Sequence, residues 1–459
     1  VIRRSEDNGN TWGPVIPVID LANNRGYTMD ASMVVDNQED SEHYGRIYMM
    51  VDMFRDGVSL WGAQPGTGYT KIGDQYYQTL TDKDGNSYTV REGGVVYDSD
   101  GEVTAYQVET EAEAPYNRQG TLFKDGEEIG SIYKGAELTM YNTCYLWMTY
   151  SDDDGLTWSL PKDITPYVKA DWMTFFGLGP GAGVQLQSGR LMFTTYCMDA
   201  KNSVDRFSSF NVYSDDDGET WHRGASPNDR SETENAENST RQLNESCIVE
   251  LNNGHLIQFM KNSSPEVAMA VSKTQGESWE DVTYAKGVKE PYCEMSAVHY
   301  PEKILDPRDG QKKEAIFFSN PGPDKNIYTG NGREYGTVRI AFVNEDDTLD
   351  WAYRKPIEVN KYLYTSLTVM NNGNIGLIYE HEGYAMVGAA FTSFSPEYIM
   401  DENVHENTPT PTGITTKIVD GNGDEMPTME AGNKVEIAVD FSQNVFASGN
   451  VALEVKVGD

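Results

Sequence analysis

Ser151-Asp152-Asp153-Asp154-Gly155-Leu156-Thr157-Trp158 is the stretch that decides the fold, because the chain writes it more than once. It recurs as Ser5-Glu6-Asp7-Asn8-Gly9-Asn10-Thr11-Trp12, again from Ser214 to Trp221, and in weaker form from Ser272 to Trp279. The shared frame is Ser-x-Asp-x-Gly-x-Thr-Trp. Asp bonds nearby backbone N–H groups and Gly tolerates positive φ, so together they make a tight turn behind which the Trp packs. Four of the eight tryptophans of the chain occupy that last position, too many for coincidence. The starts at Ser151, Ser214 and Ser272 lie roughly 60 residues apart, a little longer than the ~40 to 50 residues of commoner blade repeats. This predicts an all-β chain built as a β-propeller, one four-stranded sheet per repeat.

Composition narrows the partners. The 459 residues hold 36 Lys plus Arg against 72 Asp plus Glu, a formal charge of −36, which argues against nucleic acid or an anionic membrane. A site for an anionic ligand must therefore gather its own few basic residues. Cys144, Cys197, Cys247 and Cys293 sit in apolar, strand-like context without metal-ligand spacing, and are expected as buried free thiols. There is no signal peptide and no run of ~18 apolar residues, so no membrane-inserted segment is expected.

The interval between the first two boxes is more than twice the others, and the extra length falls mainly between Gly66 and Asn142. Short strands and polar turns fill it, among them Tyr76-Tyr77-Gln78-Thr79-Leu80 and Val95-Val96-Tyr97-Asp98. Residues 66–142 are expected as an inserted β-rich domain between propeller segments 1–65 and 143–405. Val1-Ile2-Arg3-Arg4 runs straight into the first box, as if the first blade were truncated. A Pro/Thr linker is expected over 406–413, and alternating strands over 414–459 read as part of an immunoglobulin-like β-sandwich module. Asp420-x-Asn422-x-Asp424 reads as a hairpin turn, because Ala431 stands where a calcium loop ends in an acid. Gly177-Leu178-Gly179-Pro180-Gly181-Ala182-Gly183 lacks the Lys-Ser/Thr of a phosphate loop, and a nucleotide reading is set aside.

The repeated pattern is the Asp box, and over roughly residues 1 to 400 the chain resembles the bacterial sialidases (neuraminidases). The resemblance implies a six-bladed propeller and a particular chemistry. The anomeric carbon of a sialoside already bears a carboxylate, so a second carboxylate attacking it meets like-charge repulsion. A tyrosine activated by a nearby base is favoured instead, and sialidases are the tyrosine exception among glycosidases. Tyr364, in Tyr364-Thr365-Ser366-Leu367, matches the family nucleophile, and Glu245, in Asn244-Glu245-Ser246, matches the acid that polarises it. The family grips the substrate carboxylate with three arginines, whose planar guanidinium makes two parallel bonds. Arg333 matches the third, but Lys261 stands at the second place, keeping the charge and losing the fork. Glu380 matches the acid that orients the first arginine, and Asp30 an Asp that reaches a sugar hydroxyl. In the family that first arginine, in an Arg-Ile-Pro segment, and the Asp general acid both precede the first box, upstream of Val1 here.

The resemblance thus implies a secreted or cell-surface bacterial exo-α-sialidase acting on sialylated glycans or glycoproteins, retaining, with no cofactor and no metal. A closed propeller gives no reason for a partner subunit, so a monomer is expected. Two rivals stand beside it, an intramolecular trans-sialidase releasing an anhydro-sugar and a sialic-acid-binding propeller without turnover. Lys261 alone raises a further one, a different sugar acid as substrate.

Overall fold

The computed structural model describes residues 1–199, 207–228, 242–322, 332–382, 387–401, 411–420, 425–428 and 434–441. They fall in two compact units, Val1–Pro396 and Glu397–Asp459.

The first unit is a succession of antiparallel meanders. Strands Tyr27–Val35, Ile47–Phe54, Tyr145–Ser151 and Lys162–Asp163 make one sheet. Met173–Leu178, Leu191–Asp199, Phe207–Ser214 and His222–Arg223 make the next, with short Val184–Gln185 also on Leu191–Asp199. Leu243–Glu250, Leu256–Asn262, Glu266–Ser272 and Thr283–Lys289 follow. A six-stranded sheet then runs from Ser296–Asp306 to Val387–Phe394. Its strand Leu349–Val369 serves twice: up to Lys361 it pairs with Glu334–Val343, and from Tyr362 with Ile375–Glu382. The arrangement is the propeller-like, all-β one that the repeats predict.

Both faces of these sheets are covered, which explains why many strands are continuous apolar runs rather than alternating ones. All six residues of Met173–Leu178 are buried, and seven of the eight in Ile47–Phe54. One core cluster joins Tyr48, Met50 and Leu146 of the first sheet to Phe176, Phe193 and Phe210 of the second. Another joins Cys247 and Phe259 of the third to Ile316 and Phe318 of the fourth. All four cysteines are buried and free.

The boxes are hydrogen-bonded units. In the second, the Ser151 hydroxyl accepts from Gly155 N at 2.9 Å while donating to Asp153, and Asp153 accepts from both the N–H and the hydroxyl of Thr157. Trp158 Nε1 donates to Gly155 O at 3.2 Å. The first and third boxes repeat every one of these bonds. In the fourth, Thr274 and Ser278 replace the Asp and Thr and bond hydroxyl to hydroxyl, while Trp279 Nε1 reaches Ala225 O instead. Two successive residues of each box are left-handed, the glycine and the one before it, as at Asp217 (φ 57°) and Gly218 (φ 84°).

Each box is seated on the preceding part of the chain. A Cβ on Gly155 would come 3.0 Å from Ile2, one on Gly218 2.7 Å from Tyr48, and one on Gly276 3.0 Å from Met192. The first box continues the series by meeting the last sheet: Gly9 lies under Phe391, and Trp12 packs edge-on to it at 5.4 Å. Trp12 remains 42% exposed while Trp158 and Trp221 are buried, so the expected packing of the Trp is complete in only part of the series.

Between the paired strands Ile47–Phe54 and Tyr145–Ser151, residues 69–140 form a sheet of their own, eight strands from Tyr69–Ile72 to Leu138–Met140. Its Leu80, Val96, Leu122 and Leu138 share a core with Met49, Val51 and Trp147 of the first sheet. In the second unit Pro411–Val419 pairs with Lys434–Phe441 on one side and Glu425–Met426 on the other. The strand begins at Pro411, within the stretch expected to be linker. The expected hairpin turn at 420–424 lies outside the described residues except for Asp420, and so does the end of the alternating stretch expected to 459, after Phe441.

Gly57 and Gly218 separate two costs. Both have positive φ, but a Cβ at Gly57 meets open space. Gly57→Ala should cost the left-handed strain of about 1–2 kcal/mol, and Gly218→Ala a further 1–3 or so from overpacking against Tyr48. Denaturant unfolding of the two variants beside the parent measures the difference.

Candidate active site

Three candidate residues stand where a strand loses register. Asp30 lies in Tyr27–Val35 between Met29 and Ser32, where pairing with Ile47–Phe54 slips. Glu245 lies in the slip between Leu243 and Ser246, and Tyr364 in the slip between Tyr362 and Thr365. A bulge breaks strict in-out alternation and re-aims the side chain it carries. Each occurs where the strand has only one ladder, at a sheet's edge for Asp30 and Glu245 and just after the long strand changes partner for Tyr364.

The result is an open cavity of about 420 Å³ lined by Asp30, Tyr364 and Glu380 together with Met33, Gly181 and Ile378. Glu245 is buried behind Tyr364, and the Tyr364 hydroxyl donates to Glu245 Oε1 at 3.1 Å. Lys261, also buried, places its ammonium 2.5 Å from the other oxygen, Glu245 Oε2. It lies 4.8 Å from the Tyr292 ring centroid and 5.9 Å from that of Tyr364. The Arg333 guanidinium stands 5.7 Å from the Tyr364 ring centroid. Its Nη2 donates to Tyr292 O at 2.6 Å, and its buried Nε has no hydrogen-bond partner.

The electrostatics follow from burial. Burial and then the negative charge of Glu245 raise the Tyr364 phenol, with Arg333 pulling the other way. Burial lowers the Lys261 ammonium, but Glu245 more than offsets this and the net direction is up. Asp30 is pushed up to about 6, chiefly by burial and then by Glu245. Its backbone is left-handed at φ 51°, as are Tyr292 (58°) and Tyr335 (55°) beside Arg333, three strained non-glycine positions around one site.

Sequence reasoning missed the carboxyls beneath. Glu294 accepts from Thr365 N at 2.8 Å through Oε2, and its Oε1 has no partner and faces Gly181. Glu290 accepts from Cys293 N and is pushed up to about 8 by burial. Asp52, fully buried, accepts from Leu178 N and is likewise raised by burial. No single-residue pattern marks these, since what matters is their place beside Glu245 and Lys261 for the two glutamates and beside Asp30 for Asp52. The glycine-rich stretch did carry a signal. A Cβ on Gly179 would come 3.0 Å from Ser246 N, so this segment lies against the Glu245 strand and supplies Pro180, Gly181 and Ala182 to the cavity.

A model of the BNR repeat-like domain matches residues 121–377, more than half of the chain. The chain is 28% identical over 430 residues to the anhydrosialidase of Macrobdella decora, covering 82% of this chain and 53% of that protein. It is 27% identical over 418 residues to sialidase B of Streptococcus pneumoniae, covering 82% and 56%. The chain thus spans about half the length of these curated relatives. Among solved structures, the intramolecular trans-sialidase from Ruminococcus gnavus, in complex with oseltamivir carboxylate, matches with a TM-score of 0.69 at 25% identity, covering 86% of this chain and 88% of that one.

Glu290 gives a stability test. Its folded pKa of about 8 lies above the ordinary carboxylate value, so burial is free of penalty at low pH and stability is lost as pH rises toward 8. The loss approaches about 1.4 kcal/mol per pH unit. Glu290→Gln keeps the acceptor for Cys293 N and removes the titration. Its unfolding midpoint should therefore gain on the parent steadily from pH 5 to pH 8.

Proposed function

The chain belongs to the sialidase family of BNR repeat-like propellers, and from that premise we propose that it is an exo-α-sialidase releasing terminal sialic acid from glycoconjugates with retention of configuration. The observation that carries this is the hydrogen bond from Tyr364 to Glu245 at the wall of the cavity, with Arg333 beside the same ring. In this reading the Tyr364 oxygen attacks the anomeric carbon while its proton passes to Glu245. The bond to the aglycone breaks, and the leaving oxygen takes a proton from the Asp that in the family precedes the first box. Water then displaces Tyr364, and the two inversions give retention. Arg333 supplies positive charge for the substrate carboxylate, Asp30 meets a sugar hydroxyl, and Glu380 orients the family's first arginine.

The long strand supports six blades. Divided at Lys361/Tyr362, the four sheets become five, and the first box, ahead of Tyr27 and seated on Phe391, belongs to a sixth. We read residues 66–142 as an inserted β-rich domain, and the paired strands Pro411–Val419, Glu425–Met426 and Lys434–Phe441 as part of an immunoglobulin-like module. No helix among the described residues is long and apolar enough to cross a membrane, and we place the enzyme outside the cell or on its surface.

Likeness over nearly the full length of the Ruminococcus gnavus intramolecular trans-sialidase favours one second reading, in which a hydroxyl of the sugar itself displaces Tyr364 and an anhydro-sugar leaves. Turnover of sialyllactose by the full-length protein, with the released sugar identified by NMR, decides between them. Free sialic acid supports the hydrolase and the anhydro-sugar the transferase. Binding without turnover means a lectin-like propeller, and neither binding nor turnover overturns the sialoside reading.

Two further outcomes are expected. Tyr364→Phe and Glu245→Gln should each lower kcat by about 10²- to 10⁴-fold while leaving ligand affinity within a few-fold. Calorimetric binding of free sialic acid should weaken as pH rises through about 6, because Asp30 then ionises and adds negative charge to the cavity. Asp30→Asn should flatten that dependence.

A further inference from the structure

Lys261 occupies a place where an arginine would offer two parallel donors to a substrate carboxylate, yet its ammonium is engaged elsewhere. It sits 2.5 Å from Glu245 Oε2, both side chains are more than nine-tenths buried, and the opposite oxygen of the same carboxylate accepts from Tyr364. The three groups form one chain, ammonium to carboxylate to phenol. Asp30, Glu290 and Glu294 are other carboxyls around it, Cys293 and Arg333 lie nearby, the Tyr292 ring covers the ammonium, and Gln242 and Asn244 fix the Tyr292 hydroxyl at 3.0 and 3.2 Å. A buried carboxylate without a counter-charge would take up a proton or turn away, and either would end its use as a base.

We propose that Lys261 is a positioning residue for Glu245 rather than a ligand of the substrate carboxylate. Its ammonium supplies the counter-charge to the buried Glu245 carboxylate and fixes its rotamer, so that Oε1 stays turned toward Tyr364. The anionic group of the sugar is then met by Arg333, whose Nε is a buried donor without a partner. The site therefore reads its acidic ligand with fewer cation contacts than an arginine at position 261 would give. This assignment rests on the sialidase reading for its catalytic consequence, but its structural core does not.

The test separates the two. In the full-length protein labelled with ¹³Cζ-tyrosine, the Tyr364 resonance, assigned by its loss in Tyr364→Phe, is followed in Glu245→Gln, Lys261→Met, Lys261→Arg and the double variant Glu245→Gln/Lys261→Met. The double variant leaves no unpaired buried charge and serves where Lys261→Met alone does not fold. Expected is a displacement in Lys261→Met in the same direction as in Glu245→Gln, near-parental behaviour in Lys261→Arg, and no further displacement in the double variant beyond Glu245→Gln. An unmoved Tyr364 signal in Lys261→Met beside a moved one in Glu245→Gln overturns the proposal, whatever the substrate is. With sialyllactose, Lys261→Met should lower kcat by about 10²-fold or more with KM within about threefold. A tenfold rise in KM with kcat within twofold would instead make Lys261 a carboxylate ligand. Failure of the parent protein to bind or cleave any sialoside overturns the functional reading, while the NMR comparison still decides the role of Lys261.

Discussion

The glycine of each box lies hard against another part of the chain, so that an added methyl would force a shift at Gly9 and Gly218 and press tightly on its neighbour at Gly155 and Gly276. Gly218 against Tyr48 and Gly276 against Met192 are two steps of one series, and Gly9 against Phe391 is the step that joins its beginning to its end. Everything radial in the molecule depends on this seating. The Ser hydroxyl holds the glycine N–H, the glycine allows the contact, and the contact fixes how one sheet faces the next. In the third box Ser214 and Gly218 are buried together and Trp221 seals them, so the hydrogen bonds there work away from competing water. The first box is more exposed, and its bonds are correspondingly more open to exchange with solvent.

A second constraint places the chemistry. A strand paired on both sides cannot slip register without breaking two ladders. Tyr27–Val35 and Leu243–Glu250 are edge strands of their sheets, and Leu349–Val369 has one partner at a time, so a bulge in each disturbs a single ladder. Asp30, Glu245 and Tyr364 all stand in such bulges. Their convergence comes from strands more than a hundred residues apart in the chain, each turned a little out of its alternation.

Charge compensation then sets what these groups can do. Among the described residues the site holds more carboxyls than cations, and burial raises Glu290, Glu294 and Asp52 above the ordinary carboxylate range. Glu245 differs because Lys261 faces one oxygen and Tyr364 the other. One carboxylate is thereby singled out by its partners among several of the same residue type, which is what the proposed base role requires. On the proposed reading an anionic ligand is met by Arg333, which stands beside the Tyr364 ring.

The repeat with its four tryptophans was enough to give an all-β, propeller-like chain, because a Ser-x-Asp-x-Gly-x-Thr-Trp turn encodes its own hydrogen bonds within eight residues. Burial of the cysteines was legible for a similar reason, since apolar neighbours at strand spacing travel with the residue. Tyr364, Glu245, Arg333, Lys261, Asp30 and Glu380 could be named from short flanking matches, but nothing local says what each one touches. That Lys261 faces Glu245, that Gly179 and Gly181 bring their segment against the Glu245 strand, and that Glu290 and Glu294 lie beneath were decided only by the tertiary structure. The turn is a short-range object whose partners are its own neighbours. The site is a long-range one, assembled by edge-strand bulges and by burial, which depend on which sheets pack together and are written in no single stretch of the chain.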